Sequence, residues 1–130
     1  MSIVDHPKFL RTVLLVDAAT CVATGALMSL GATALADLTR LPETLLLGAG
    51  LALFPVAGFI ALIASRPSAA GVWIVILGNV GWVVGSLMVL VPGGVAPNAL
   101  GTAFVIVQAV AVAVLAELEL IGLKRMPVAA

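Results

Sequence analysis

Long apolar stretches separated by short connectors dominate the chain. Four of them cover roughly 9–36, 43–65, 70–92 and 98–123. Each reaches the roughly 20 residues that a helix needs to cross about 30 Å of hydrocarbon. Because a backbone inside lipid must satisfy its own hydrogen bonds, these stretches favour helices over open strands. We therefore predict an all-α membrane protein with four transmembrane helices.

The connectors read DLTRLPE, SRPSAAG and VPGGVAP, and each contains a proline. Connectors this short make consecutive helices antiparallel, which predicts an up-down four-helix bundle in a single domain, 1–130. Two sequence echoes fall at equivalent places in the two predicted hairpins: ALMSL at 26–30 with SLMVL at 86–90, and LPETL at 41–45 with APNAL at 96–100. A parallel two-hairpin duplication would leave such echoes, although chance can also produce them in so biased a composition.

The composition limits the classes of function. Hydrophobic residues make up 63% of the chain and charged residues 9%, with a mean hydropathy of +1.31, which excludes most water-soluble domains. The net charge is zero, so nucleic acid is not expected as a partner. The expected partners are the lipid bilayer and either a second copy of the chain or a larger membrane complex.

Chemical motifs are scarce. One cysteine and one histidine cannot supply the usual ligands of a zinc or bis-histidine haem site. The sequence contains no HExxH, GxSxG, P-loop or CxxC motif. We therefore expect no cofactor, no metal and no enzymatic activity.

The basic residues predict an orientation. Five of them fall on one side of the predicted bundle: Lys8, Arg11, Arg66, Lys124 and Arg125. Arg40 stands alone on the other side. The positive-inside rule then places both termini in the cytoplasm, and we expect a multi-pass protein of a bacterial inner membrane.

The first apolar stretch also has features of a signal peptide. Two basic residues precede it, and the letters ALA precede Asp37. However, a signal peptide has an apolar region of about 7–15 residues, and this stretch is much longer and contains Asp17. We therefore expect it to be retained as the first transmembrane helix.

Polar groups recur at a similar depth in all four helices. Counted inward at about 1.5 Å per residue, Asp17 and Glu117 lie about 10 Å deep and Asn79 about 13 Å deep. Pro55 lacks an amide hydrogen in the middle of the second helix, which predicts a kink there. Such groups face protein or water, because a carboxylate facing lipid would be unsatisfied.

Helical spacing sorts these groups into faces. Asp17, Thr20, Cys21, Thr24 and Met28 form a stripe on the first helix, and Asn79, Trp82 and Ser86 form another on the third. On the fourth helix Gln108 aligns with Glu119, whereas Glu117 lies on the opposite side beside small alanines. We favour Glu117 as the acid that faces the bundle. The candidate ligand- or proton-binding residues are Asp17, Asn79, Glu117, Gln108, Thr20 and Trp82.

Each candidate also has a purely structural interpretation. Asp17 could be a buried acid that hydrogen-bonds Asn79 and holds helices together, or a functional membrane carboxylate. Both glutamates could extend toward the cytoplasmic surface near Lys124. Trp82 lies too deep for an interfacial anchor, so it packs in the bundle or lines a cavity.

The sequence GNVGWVVG places Gly78, Gly81 and Gly85 on the third helix. The Gly81–Gly85 pair matches GxxxG, a pattern that lets two helix backbones approach closely. We predict that these glycines form a helix-packing surface. The pattern does not distinguish contact within the bundle from contact between two copies.

Two resemblances follow. The layout, with VLLVDA, GLALFPVAGFIALIA and VILGNVGW, resembles small four-span bacterial membrane proteins of unassigned function, which implies the fold but no activity. The position of Asp17 is similar to that of the essential carboxylate in the first helix of small multidrug resistance transporters. In that family the carboxylate belongs to a glutamate. The family's third helix also carries aromatic and glycine motifs that this chain does not reproduce.

Two classes of function remain open. The first is a structural, accessory or self-associating membrane protein. The alternative is a small homo-oligomeric transporter or channel that uses Asp17 as its membrane carboxylate. An accessory protein would bury Asp17 against a donor, whereas a transporter would line a cavity with it.

Overall fold

The structure is a computed structural model, and it describes residues 8–126. Five helices lie within this range. They are α1 (Phe9–Leu30), α2 (Ala32–Thr39), α3 (Glu43–Ser65), α4 (Ala69–Val89) and α5 (Ala99–Lys124). Within 8–126 there is no strand, which confirms the all-α prediction. All but α2 are long and apolar enough to cross a membrane, so the fold is that of a multi-pass membrane protein.

The prediction of one helix over 9–36 is wrong, because the chain breaks at Gly31. A helix over that range would be roughly 42 Å long, more than the ~30 Å of hydrocarbon requires. Helix α1 ends at Leu30, and Gly31 (φ −99°, ψ 15°) joins it to the short α2. The extra residues of the first stretch therefore form a separate helix, which packs against α3 and α5.

The other helices lie close to their predicted positions. Helix α3 matches 43–65 and continues through Pro55, so the kink at that residue stays a prediction. Helix α4 ends at Val89, three residues before its predicted end, and α5 runs from Ala99 to Lys124. Side-chain caps begin two of the helices: Ser68 accepts from the Gly71 amide at 3.1 Å, and Asn98 accepts from the Gly101 amide at 2.8 Å.

The four long helices form two closely packed hairpins. Helix α1 packs along α3, α4 packs along α5, and α1 also meets α5. Consecutive helices α3 and α4 touch little beyond their short connection. The α1/α3 contact is closest at Gly25 and Gly50, where a Cβ added to Gly50 would lie 2.9 Å from the Ser29 amide nitrogen. The absence of side chains at these two glycines lets the backbones meet.

The ends of the helices fall on two sides of the bundle. Leu10 near the start of α1 packs on Gly122 near the end of α5. On the opposite side, the Asn98 amide donates to the Thr39 carbonyl at 3.1 Å, and its side chain donates to the Leu38 carbonyl at 2.8 Å. Those contacts hold α2 against the start of α5.

Large apolar side chains cover much of the outer surface. Leu77 is 63% exposed and Val107 is 68% exposed, although each lies in the middle of a long helix. Charged residues are concentrated near helix ends, while the interior contains Asp17, Asn79 and Glu119. An apolar exterior around a polar interior is the distribution expected of helices surrounded by lipid.

Candidate functional site

A cluster of three polar side chains joins α1, α4 and α5 inside the bundle. The Asn79 side-chain amide donates one hydrogen bond to Asp17 Oδ2 and another to Glu119 Oε1, both at 2.8 Å. Asp17 is 1% exposed, Glu119 is 0% exposed and Asn79 is 7% exposed. The predicted hydrogen bond between Asp17 and Asn79 is therefore present. We call Asp17, Asn79 and Glu119 the carboxyl clamp.

The clamp has one weak additional donor and one unsatisfied oxygen. The Cys21 Sγ lies 3.8 Å from Asp17 Oδ1, one helical turn away on α1. Glu119 Oε2 is buried and has no hydrogen-bond partner among the described residues. The amide therefore satisfies one oxygen of each carboxyl group and leaves Glu119 with a buried polar atom that is unpaired.

The preference for Glu117 over Glu119 is wrong. Glu117 is exposed, while Glu119 takes the interior position and the bond to Asn79. Two residues along a helix turn the side chain by about 200°, so only one of the pair can face the clamp. The alignment of Gln108 with Glu119 carried the correct signal, since both side chains bind α4.

Thr20 does not extend the clamp. Its hydroxyl donates to the backbone carbonyl of Asp17 at 2.8 Å, not to the carboxylate. This bond within one helical turn is common for threonine. Thr20 instead lines a cavity beside the clamp.

A second polar group links α4 to α5. The Trp82 indole donates to Gln108 Oε1 at 2.6 Å, and the Gln108 amide donates to Ser86 Oγ at 2.9 Å and to the Val105 carbonyl at 2.8 Å. Ser86 in turn donates to the Trp82 carbonyl at 2.7 Å. The predicted stripe of Asn79, Trp82 and Ser86 thus faces α5.

Two cavities of about 400 Å³ each lie on either side of this second group. Trp82 and Gln108 line both of them. The first cavity also borders Asp17, Asn79 and Phe59, and the second extends toward Leu41 and Phe104. Both lie between the two hairpins, where α3 and α4 touch little, and their walls are mostly apolar. Asp17 is at the wall of the first cavity with almost none of its surface exposed.

The predicted glycine surface does not pack within the described bundle. Added Cβ atoms at Gly78, Gly81 and Gly85 would meet nothing within 4 Å. Gly78 lines the first cavity, and Gly81 and Gly85 line the second. The close packing falls elsewhere, at Gly25 and Gly50. Of the two alternatives left open for these glycines, contact within one bundle is therefore wrong.

No group of three or more histidine, cysteine, aspartate or glutamate residues suited to a metal ion occurs within residues 8–126. Comparison of the chain with family models, with curated proteins and with solved structures gave no match. The function therefore has to be inferred from the geometry of the carboxyl clamp and the cavities.

Proposed function

We propose that the protein is a structural or accessory protein of a bacterial inner membrane, in which a second copy or a larger complex is its partner. The observation that supports this is the burial of the carboxyl clamp. Asp17 and Glu119 expose 1% and 0% of their surface and bind one amide between three helices. Polar groups so placed hold transmembrane helices together by interhelical hydrogen bonds.

The proposal includes the absence of enzymatic activity and a cytoplasmic position for both termini. The first is supported by the lack of a nucleophile–base pair in the sequence. The second is supported by the excess of basic residues on the side where α1 begins and α5 ends. Residues 31–42 and 90–98 would then face the opposite side of the membrane.

The clamp can be tested by substitution at Asp17. In Asp17→Asn the new side-chain oxygen can still accept from Asn79, so thermal stability of the purified protein should stay nearly unchanged. In Asp17→Ala that acceptor is lost, and the free energy of unfolding should fall by about 1 kcal/mol. Equal stability of the wild type and Asp17→Ala would contradict a structural role.

The first cavity favours a second candidate, a small homo-oligomeric transporter. An apolar cavity of about 400 Å³ beside a carboxyl group and an indole suits a lipophilic cation. In this alternative the cation would displace a proton from Asp17, which would have to become accessible from the cavity. The two hairpins would then separate during transport.

Adding tetraphenylphosphonium to purified protein and measuring the proton released distinguishes the two candidates. A transporter should release protons from the wild type and from Glu117→Gln, an exposed acid on the same helix as Glu119, but not from Asp17→Asn. A structural protein should release none from any of the three. Proton release that persists in Asp17→Asn would contradict the role given to that residue.

A further inference from the structure

The carboxyl clamp brings two acids to one neutral donor. Asn79 has two amide hydrogens, and it gives one to each carboxyl group. Because Asp17 Oδ2 and Glu119 Oε1 each lie 2.8 Å from the same Asn79 nitrogen, the two carboxyl groups are no farther apart than the sum of these two distances. Two anions in so small a buried space would repel strongly, and the amide carries no charge to offset them.

The groups around the clamp offer little compensation. From α1 comes the Cys21 thiol, and from α4 comes the uncharged Asn79. Helix α3 faces α1 with apolar side chains such as Leu53, Ala57 and Ile60. The cationic residues of the described chain lie near helix ends: Lys8, Arg11, Arg40, Arg66, Lys124 and Arg125.

The unpaired oxygen of Glu119 indicates what completes the cluster. Glu119 Oε2 is fully buried without a partner, and a buried acceptor left unpaired costs about 1–3 kcal/mol. A proton bound to this oxygen turns it into a donor, and the Asp17 carboxylate can accept from it. The same proton removes one of the two negative charges.

We infer that Asp17 and Glu119 form one proton-binding site, in which a single proton on Glu119 Oε2 is shared with the Asp17 carboxylate. The bond that forms is O–H on Glu119; the proton comes from a hydronium ion of the solvent, whose O–H bond breaks to leave a water molecule, and no other covalent bond changes. This inference assigns a ligand to the clamp and depends on neither candidate function. Loss of the proton would set two anions against each other between α1 and α5.

Infrared spectroscopy of the purified protein at neutral pH tests the site directly. The carbonyl stretch of a protonated carboxyl group is separate from that of a carboxylate, so the band counts the protonated acids. The expected result is a band whose intensity corresponds to one protonated carboxyl group. Zero or two such groups in the wild type would overturn the inference, whatever the variants do.

The variants test whether the proton is shared. Glu119→Gln and Asp17→Asn should each lose the band, because the new amide donates to the remaining carboxylate and replaces the proton. Glu117→Gln is the matched control and should keep the band unchanged. Full retention of the band in Asp17→Asn or in Glu119→Gln would assign the proton to one residue alone and overturn sharing.

Discussion

The carboxyl clamp depends on Asn79. Its amide is the only described side chain that bonds both acids, and it does so across two helix interfaces. An aspartate at that position would add a third acid, and a leucine would leave both carboxyl groups without their donor. The residue therefore connects the hairpin of α1 and α3 to that of α4 and α5.

Replacement of Asn79 by alanine should destabilise the bundle. The change removes two interhelical hydrogen bonds and leaves two buried acceptors, so we expect a loss of about 1–3 kcal/mol in the free energy of unfolding. Thr20→Ala is the control, since its hydroxyl bonds only a carbonyl of its own helix, and it should change stability by less than about 0.5 kcal/mol. Denaturant titration in detergent measures both, and equal effects would contradict the importance of the clamp.

Part of the site could be predicted from single residues. A carboxyl group in an apolar helix needs a donor at similar depth, and this condition pairs Asp17 with Asn79 without any coordinates. The choice between Glu117 and Glu119 could not be made in this way. Both lie at a suitable depth, and the local signal that favours Glu119 is its alignment with Gln108, a second polar side chain on the same face of α5.

At the scale of the helices, glycine has two different uses in this chain. Gly25 and Gly50 bring the backbones of α1 and α3 together, whereas Gly81 and Gly85 leave space between the hairpins. A GxxxG pattern shows that one face of a helix is small, but it does not show which helix covers that face. The GxxxG pattern on α4 therefore identified a small face, but the close contact between backbones lies at Gly25 and Gly50.

Matched alanine substitutions separate these two uses. In Gly50→Ala the new methyl group would lie 2.9 Å from the Met28 Cβ and the Ser29 amide, so the helices must separate, at a cost of about 1–3 kcal/mol. In Gly85→Ala it meets nothing within 4 Å, and the higher helix propensity of alanine should stabilise the protein slightly. Thermal unfolding in detergent measures whether each variant is less or more stable than the wild type. Destabilisation by Gly85→Ala would mean that its face is covered.

The break at Gly31 was open to prediction from length alone. The first apolar stretch exceeds a membrane crossing by about two helical turns, so a single spanning helix does not need all of it. The hydrophobic pattern did not predict where the helix ends, because the sequence ATALADL after Gly31 continues the same helical pattern. The contact of α2 with the start of α5 depends on Asn98 and Thr39, and no pattern in the sequence indicated it.

For the whole molecule, short connectors and apolar runs were enough to predict the antiparallel order of the long helices. They could not predict that the two hairpins pack tightly within themselves and leave cavities between them. That arrangement depends on small residues at particular contacts. The sequence echoes at 26–30 and 86–90 fall near the ends of α1 and α4, and duplication of a hairpin stays a prediction.

Reporter fusions test the orientation of the whole molecule. A fusion after Ala130 should report the cytoplasm, and one inserted in the 37–42 connector should report the periplasm, because five basic residues lie on the first side and one on the second. A periplasmic C-terminus would contradict the orientation. A mature protein that begins at Asp37 would show that the first stretch is cleaved.

Self-association can be tested at Gly81. A Cβ added at Gly81 would meet nothing within 4 Å, and the position is exposed, so Gly81→Leu should fold as the wild type does. If two copies meet through this face, the variant should run as a smaller species in detergent, measured by light scattering. Leu87→Ala serves as the control, because Leu87 is exposed on the same helix but lies about 120° away from Gly81 around the helix axis. An unchanged assembly in Gly81→Leu would place the interface on another face.

The hydrogen bond between the Trp82 indole and Gln108 allows the interior to be followed by tryptophan fluorescence. The chain has two tryptophans, and Trp73 is 46% exposed, so replacing Trp73 with phenylalanine leaves one emitter in the wall shared by both cavities. Its emission depends on the polarity around the ring and on the hydrogen bond of its nitrogen. Water or a solute that enters either cavity would therefore shift the wavelength of the Trp82 emission maximum. A fluorescence spectrum would then report the hydration of the space between the hairpins.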